Sequence, residues 1–81
     1  MKVDIYSKPY CPFCIQAKNA FLKNNIEFKE YIVGQDASKE DIQKRVSELG
    51  SSAQVRTVPQ IFIDNEYIGG YSELKQKYDW A

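Results

Sequence analysis

The first third of the chain constrains the fold most, because an alternating apolar run is followed by a helical repeat and then by a second apolar run. Val3-Asp4-Ile5-Tyr6 alternates as a half-buried strand does. Ser7-Lys8-Pro9-Tyr10 reads as a loop. Pro12 suits the first turn of a helix, where its missing N–H would have no intrahelical partner anyway. From Ile15 to Lys23, Ala17 and Phe21 follow helical spacing with Ile15 and Leu22 beside them, and Asn24-Asn25 offers a left-handed stop. Ile26 to Val33 then reads as a second strand. Two strands joined through a helix should lie parallel, with a right-handed crossover.

The remainder extends this unit. Gly34 to Ala37 reads as a loop, and Ser38 with Asp41 resembles a capping box. Ile42, Val46 and Leu49 recur at i, i+4 and i+7 up to Gly50, which defines a second helix. A polar connection from Ser51 to Thr57 leads to Pro59 and a third strand, Ile61-Phe62-Ile63. Asp64-Asn65-Glu66 is a hairpin turn into Tyr67-Ile68-Gly69, and Gly70 to Ser72 opens a short helix with Leu74 and Tyr78 one face apart. The order β-α-β-α-β-β-α predicts an α/β fold, a four-stranded mixed sheet flanked by helices. At 81 residues the expectation is one domain spanning 1–81.

Within this frame stand the only two cysteines, in Cys11-Pro12-Phe13-Cys14. On a helix that spacing puts both sulfurs on one face, one turn apart. A bridge over so short a loop removes little entropy from the unfolded chain, which argues against a structural staple. CxxC is also half of a zinc site, but such a site needs four ligands. With no histidine in the chain, zinc would need a second copy or carboxylates. The sequence predicts no resident metal. Cys11 falls at or just before a helix start, where unpaired N–H groups and the helix dipole stabilise a thiolate. From Ser7 to Ile26 the chain holds Lys8, Lys18 and Lys23 and no acid, adding positive charge. Cys11 is therefore expected to be the nucleophile, and Cys14, one turn into the helix, the resolving thiol. Basic and acidic residues balance at eleven each, which argues against a nucleic-acid partner. The N-terminal residues carry no apolar signal-like region, and no run approaches membrane-spanning length. A cytoplasmic setting follows, in which a dithiol is kept for redox work.

Read together, Cys11-Pro12-Phe13-Cys14, Thr57-Val58-Pro59 and Gly69-Gly70, in this element order, make the sequence resemble a dithiol glutaredoxin of the thioredoxin superfamily over essentially its whole length. The resemblance implies a thioredoxin-like fold and a glutathione-dependent thiol–disulfide oxidoreductase, with glutathione as reducing co-substrate. It implies a cis bond before Pro59 and a Val58 backbone that pairs with the cysteinyl part of glutathione. Thr57 belongs to the same turn. Gly69 and Gly70 would let the backbone approach the ligand. The helix starting near Ser72 and Glu73 would hold the γ-glutamyl carboxylate, and Lys8, with Gln60 or Arg56 as alternatives, the glycyl carboxylate. Tyr71 and Phe13 would wall the groove.

Many dithiol members carry tyrosine where this chain has Phe13 and aspartate where it has Glu73. Expected partners are glutathione and disulfide-containing or glutathionylated proteins, with ribonucleotide reductase a candidate client, and the expected state is a monomer. Two other readings stay open on sequence alone: a redoxin fed by thioredoxin reductase, and an iron–sulfur carrier bridging two copies. The family's cluster-binding members usually have a small residue at the position of Pro12, and redoxins of the first kind typically differ from Gly69-Gly70-Tyr71-Ser72-Glu73.

Overall fold

A computed structural model describes residues 1–81. Its elements are β1 (Val3–Ser7), α1 (Pro12–Lys23), β2 (Phe28–Ile32), α2 (Lys39–Glu48), β3 (Gln60–Ile63), β4 (Glu66–Gly69) and α3 (Tyr71–Lys77). The sheet order is β2-β1-β3-β4, with β1 parallel to β2 and antiparallel to β3, and β3 antiparallel to β4. The mixed sheet expected from the β-α-β opening and the terminal hairpin is the one observed.

Strand alternation sorts side chains between two cores. Val3 and Ile5 of β1 and Ile61 and Ile63 of β3 pack with Ala17 and Phe21 of α1 and Leu74 of α3. Tyr6 and Phe62 point the other way and pack with Ile42 and Val46 of α2 and with Val55. Both faces are thus covered, which is why β1 is buried along its whole length. Each large side chain fully buried here contributes about 1.5–3 kcal/mol of transfer free energy. Asp4 shares the α2 face of β1 and is itself buried; Arg45 of α2 meets its carboxylate at 2.9 Å and donates to the Tyr6 hydroxyl at 3.0 Å.

Local signals set the ends of the elements. The Ser38–Asp41 capping box forms, with Asp41 N–H donating to Ser38 Oγ at 3.1 Å and Ser38 N–H to Asp41 Oδ2 at 3.0 Å. Helix α1 ends as the asparagine pair predicts, with Asn25 in the left-handed region at φ 56°. The N–H of Ile26 closes onto Phe21 C=O at 2.8 Å and that of Asn25 onto Leu22 C=O at 3.2 Å. Ile26 is therefore part of the helix stop, and β2 begins only at Phe28. At its other end Val33 lies outside β2, its N–H still donating to Ser7 C=O at 2.9 Å while it forms an isolated bridge to Ala37. Leu49, expected in the apolar stripe, caps α2 and is exposed. The hairpin turn is Asp64-Asn65, both at positive φ, as a two-residue turn between twisted strands requires.

Candidate functional site

The site forms where β1 gives way to α1. Cys11 is the N-cap of α1, in extended backbone (φ −93°, ψ 110°), and Pro12 occupies the first turn. The Cys11 sulfur accepts the Cys14 N–H at 3.3 Å, so an amide otherwise without an intrahelical partner is aimed at it. Its S–H donates to the Val58 carbonyl oxygen, 3.6 Å from the sulfur. Cys11 is half-buried, whereas Cys14 is sealed in the interior. Burial pushes the Cys14 thiol up to about 12, and its hydrogen bond and charge interaction with Cys11 add to the rise. The Lys8 backbone N–H and the Lys18 charge pull the other way. The two sulfurs are chemically unequal.

Opposite Cys11 lies the cis Val58–Pro59 peptide. The Val58 N–H makes no hydrogen bond inside the protein, which leaves the Thr57–Val58 backbone open for pairing. A solvent-open groove of about 470 Å³ runs along it, lined by Phe13, Thr57, Val58, Pro59, Gly70, Tyr71, Ser72 and Glu73. These are the expected groove residues, and two unforeseen ones join them, Gln16 and Lys75. Helical spacing could have found both. Gln16 lies one turn beyond Phe13, and Lys75 one turn beyond Tyr71, with its ammonium 5.6 Å from that ring's centre.

Lys8 lines a different space. It borders a slot of about 110 Å³ with Lys39, Arg56, Val33, Ile42 and Val55, and this slot meets the groove at Thr57 and Val58, which line both. Three cations and no carboxylate line it. Lys39, at the start of α2, was not foreseen because only the fold brings it beside Lys8. Gln60, one alternative for a carboxylate contact, is excluded. It is buried, its amide donates to Thr57 C=O at 2.7 Å, and its oxygen accepts the Tyr67 hydroxyl at 2.6 Å.

At the far end of the groove, Gly69 stands at φ 113° and Gly70 is the N-cap of α3. Glu73 folds back over both. Its Oε1 accepts the Gly70 N–H at 2.7 Å and its Oε2 the Ser72 hydroxyl at 2.9 Å. The first intrahelical bond runs from Leu74 N–H to Gly70 C=O at 3.0 Å. The amides of Tyr71 and Ser72 precede it and remain available to an anion.

The lysine-only neighbourhood expected around the cysteines needs correction. Lys18 is paired with Glu30 at 2.7 Å, an acid that β2 brings alongside α1 from outside the stretch that lacks acids. Lys23 sits in the last turn of α1, about 18 Å along the helix from Cys11 at 1.5 Å per residue, and does not act on it.

Comparison with known proteins fits this geometry. A family model described as Glutaredoxin matches residues 3–68. The chain is 38% identical over 74 residues to Glutaredoxin-2 of Schizosaccharomyces pombe, covering 91% of this chain and spanning only 64% of that protein's length. Crystalline Glutaredoxin 1 from Francisella tularensis, complexed with cacodylate, superposes with a TM-score of 0.79 at 43% identity, over 96% of this chain and 92% of that one. The buckwheat glutaredoxin–glutathione complex superposes with a TM-score of 0.72 at 28% identity, over 93% and 66%. With the matched segment running from β1 into β4 and enclosing both cysteines and the cis-proline turn, this chain belongs to the glutaredoxin family.

Proposed function

We propose that the chain is a glutathione-dependent thiol–disulfide oxidoreductase working through Cys11 and Cys14. The observation that carries this reading is the asymmetry of the two sulfurs beside an open backbone edge: Cys11 half-buried on a helix N-cap, Cys14 buried with its thiol held up. As thiolate, Cys11 attacks a substrate disulfide; the Cys11–substrate bond forms and the substrate's other sulfur leaves as a thiolate that takes a proton. Cys14 then attacks the Cys11 sulfur and releases the bound group as a thiol; where that group is glutathione, a second glutathione thiolate can instead attack the glutathione sulfur, forming oxidised glutathione and releasing Cys11 as a thiolate. When Cys14 resolves, a Cys11–Cys14 disulfide results, and two glutathione molecules return it to the dithiol while forming oxidised glutathione.

Glutathione lies extended across Thr57–Val58, its cysteinyl backbone adding to that edge as a strand would. Its glycyl carboxylate reaches the slot of Lys8, Lys39 and Arg56. Its γ-glutamyl end lies between Phe13 and Tyr71, with the carboxylate at the first amides of α3 and the amino group toward Glu73. The ligand's one amino group meets the groove's one carboxylate, Glu73, while the cationic slot at the other end takes the glycyl carboxylate. Pairing the ligand at both ends fixes the direction in which it lies. Protein clients carry disulfides or glutathione adducts, ribonucleotide reductase among the candidates, and the chain acts as a monomer in the cytoplasm.

A glutathione-coupled assay on a small mixed disulfide tests the reading, using wild type, Cys11→Ser and Cys14→Ser. Activity in wild type, none in Cys11→Ser and substantial activity in Cys14→Ser is expected. A wild type inactive with glutathione but active with thioredoxin reductase would replace glutathione as the donor.

A further inference from the structure

Behind Cys14, away from the groove, lies a polar cluster with no part in the scheme above. Ser7 ends β1 and is fully buried, and its hydroxyl donates to Glu30 Oε2 at 2.5 Å. Lys18 of α1 donates to the same oxygen at 2.7 Å. Lys18 follows Cys14 by four residues, so the two share one helix face about 6 Å apart along the axis. The residue after Ser7, Lys8, turns its backbone N–H to the Cys14 sulfur. One β1 corner therefore touches the resolving thiol and also anchors the ion pair beside it.

We propose that Lys18 is a positioning residue for resolution, its ammonium held by Glu30 and Ser7 so that it offsets the negative charge Cys14 must carry when it attacks Cys11. The step begins when the Cys14 thiol gives its proton to solvent. The thiolate attacks the Cys11 sulfur of the glutathione adduct, the Cys11–Cys14 bond forms, the Cys11–glutathione bond breaks, and glutathione leaves as a thiolate that is protonated in water. During this step the charge on Cys11 is spent in the mixed disulfide. Of the two side-chain charges that act on Cys14, Cys11 and Lys18, only Lys18 then remains. From β1 the contact is a neutral N–H, and Glu30 of β2 is the ion-pair partner of Lys18. Glu30 is in turn held below its usual range, first by the Lys18 hydrogen bond and then by that of Ser7, so it stays ionised and keeps Lys18 in place.

This inference rests on the glutathione reading, and one experiment separates them. Reduced protein is mixed rapidly with stoichiometric oxidised glutathione, and loading of Cys11 and subsequent release of glutathione are followed across pH. Lys18→Gln should slow release, the lower thiolate fraction being partly offset by higher intrinsic nucleophilicity, and shift its pH profile upward. Lys18→Arg should restore the wild-type rate. Glu30→Gln loosens the anchor but leaves the cation on the same helix face, so it should slow release less than Lys18→Gln does. Rescue by Lys18→Arg and the upward shift of the pH profile distinguish charge from damage, and Lys18→Met supplies the neutral side chain should Lys18→Gln fail to fold. Unchanged release in the neutral variant, or slower release that Lys18→Arg does not restore, overturns the proposal. A wild-type Cys11 that takes up no glutathione would overturn the glutathione reading and this inference with it.

Discussion

Replacing Gly69 by alanine should damage the protein through two separable effects. At φ 113° a side chain is strained by about 1–2 kcal/mol, judging from the cost of left-handed backbone. The added Cβ would also lie 2.9 Å from Glu73 Oε1, 3.1 Å from its Cγ and 3.2 Å from its Cβ. The last two atoms are near the root of the side chain and cannot simply swing away. Glu73 must shift, which breaks its bond to the Gly70 N–H; losing a cap costs about 0.5–2 kcal/mol. Together the loss is about 2–4 kcal/mol, enough to lower the Tm of a domain this size by about 10 °C or more. Gly34→Ala provides the comparison, since Gly34 has φ 93° with nothing within 4 Å of an added Cβ. Urea unfolding of both variants would isolate the close-approach effect as their difference. Equal destabilisation in the two would refute the reasoning.

Asp4→Asn should cost about 1–2 kcal/mol in urea unfolding, because Arg45 loses its buried carboxylate but keeps the Tyr6 hydroxyl and partial solvent access. The reduced protein should lose stability as pH rises. The folded Cys14 thiol keeps its proton to about 12 while an unfolded cysteine releases it near 9.0, so stability present below pH 9 is lost between 9 and 12. Chemical denaturation of wild type against Cys14→Ser across that range should show the extra slope only in wild type. Glu73→Ala should raise KM for a glutathione mixed disulfide more than it lowers kcat, because it removes a binding contact and not a reacting group. A kcat loss with unchanged KM in steady-state assays would count against the proposed placement of the γ-glutamyl end.

Features written in neighbouring residues were legible in the sequence. The Ser38–Asp41 box and the Asn25 stop each depend on a few consecutive side chains and form as read. The hairpin turn forms one residue shorter than read, at Asp64-Asn65, because Glu66 pairs with Ile63 as the first residue of β4. The N-cap position of Cys11 follows from Pro12 in the same way. What the sequence hid depends on which elements meet. Gln60 looked available beside the cis-proline turn, yet strand alternation points it inward, where Tyr67 from β4 takes its oxygen. The stretch around the cysteines looked purely basic until parallel pairing set Glu30 opposite Ile5 and within reach of Lys18. Lys39 joins Lys8 only because α2 begins beside the end of β1. Leu49 obeyed the helical spacing, but the helix ends there and its side chain reaches no core.

The unequal pair of sulfurs is the centre of this account, and direct chemical labelling tests it. Reduced native protein would be treated with a limiting amount of iodoacetamide near neutral pH, and the modified cysteine located by peptide mass mapping. Alkylation of Cys11 with Cys14 left unmodified until the protein is unfolded is the predicted result. Labelling of Cys14 at a rate equal to or above that of Cys11 in the folded protein would contradict it.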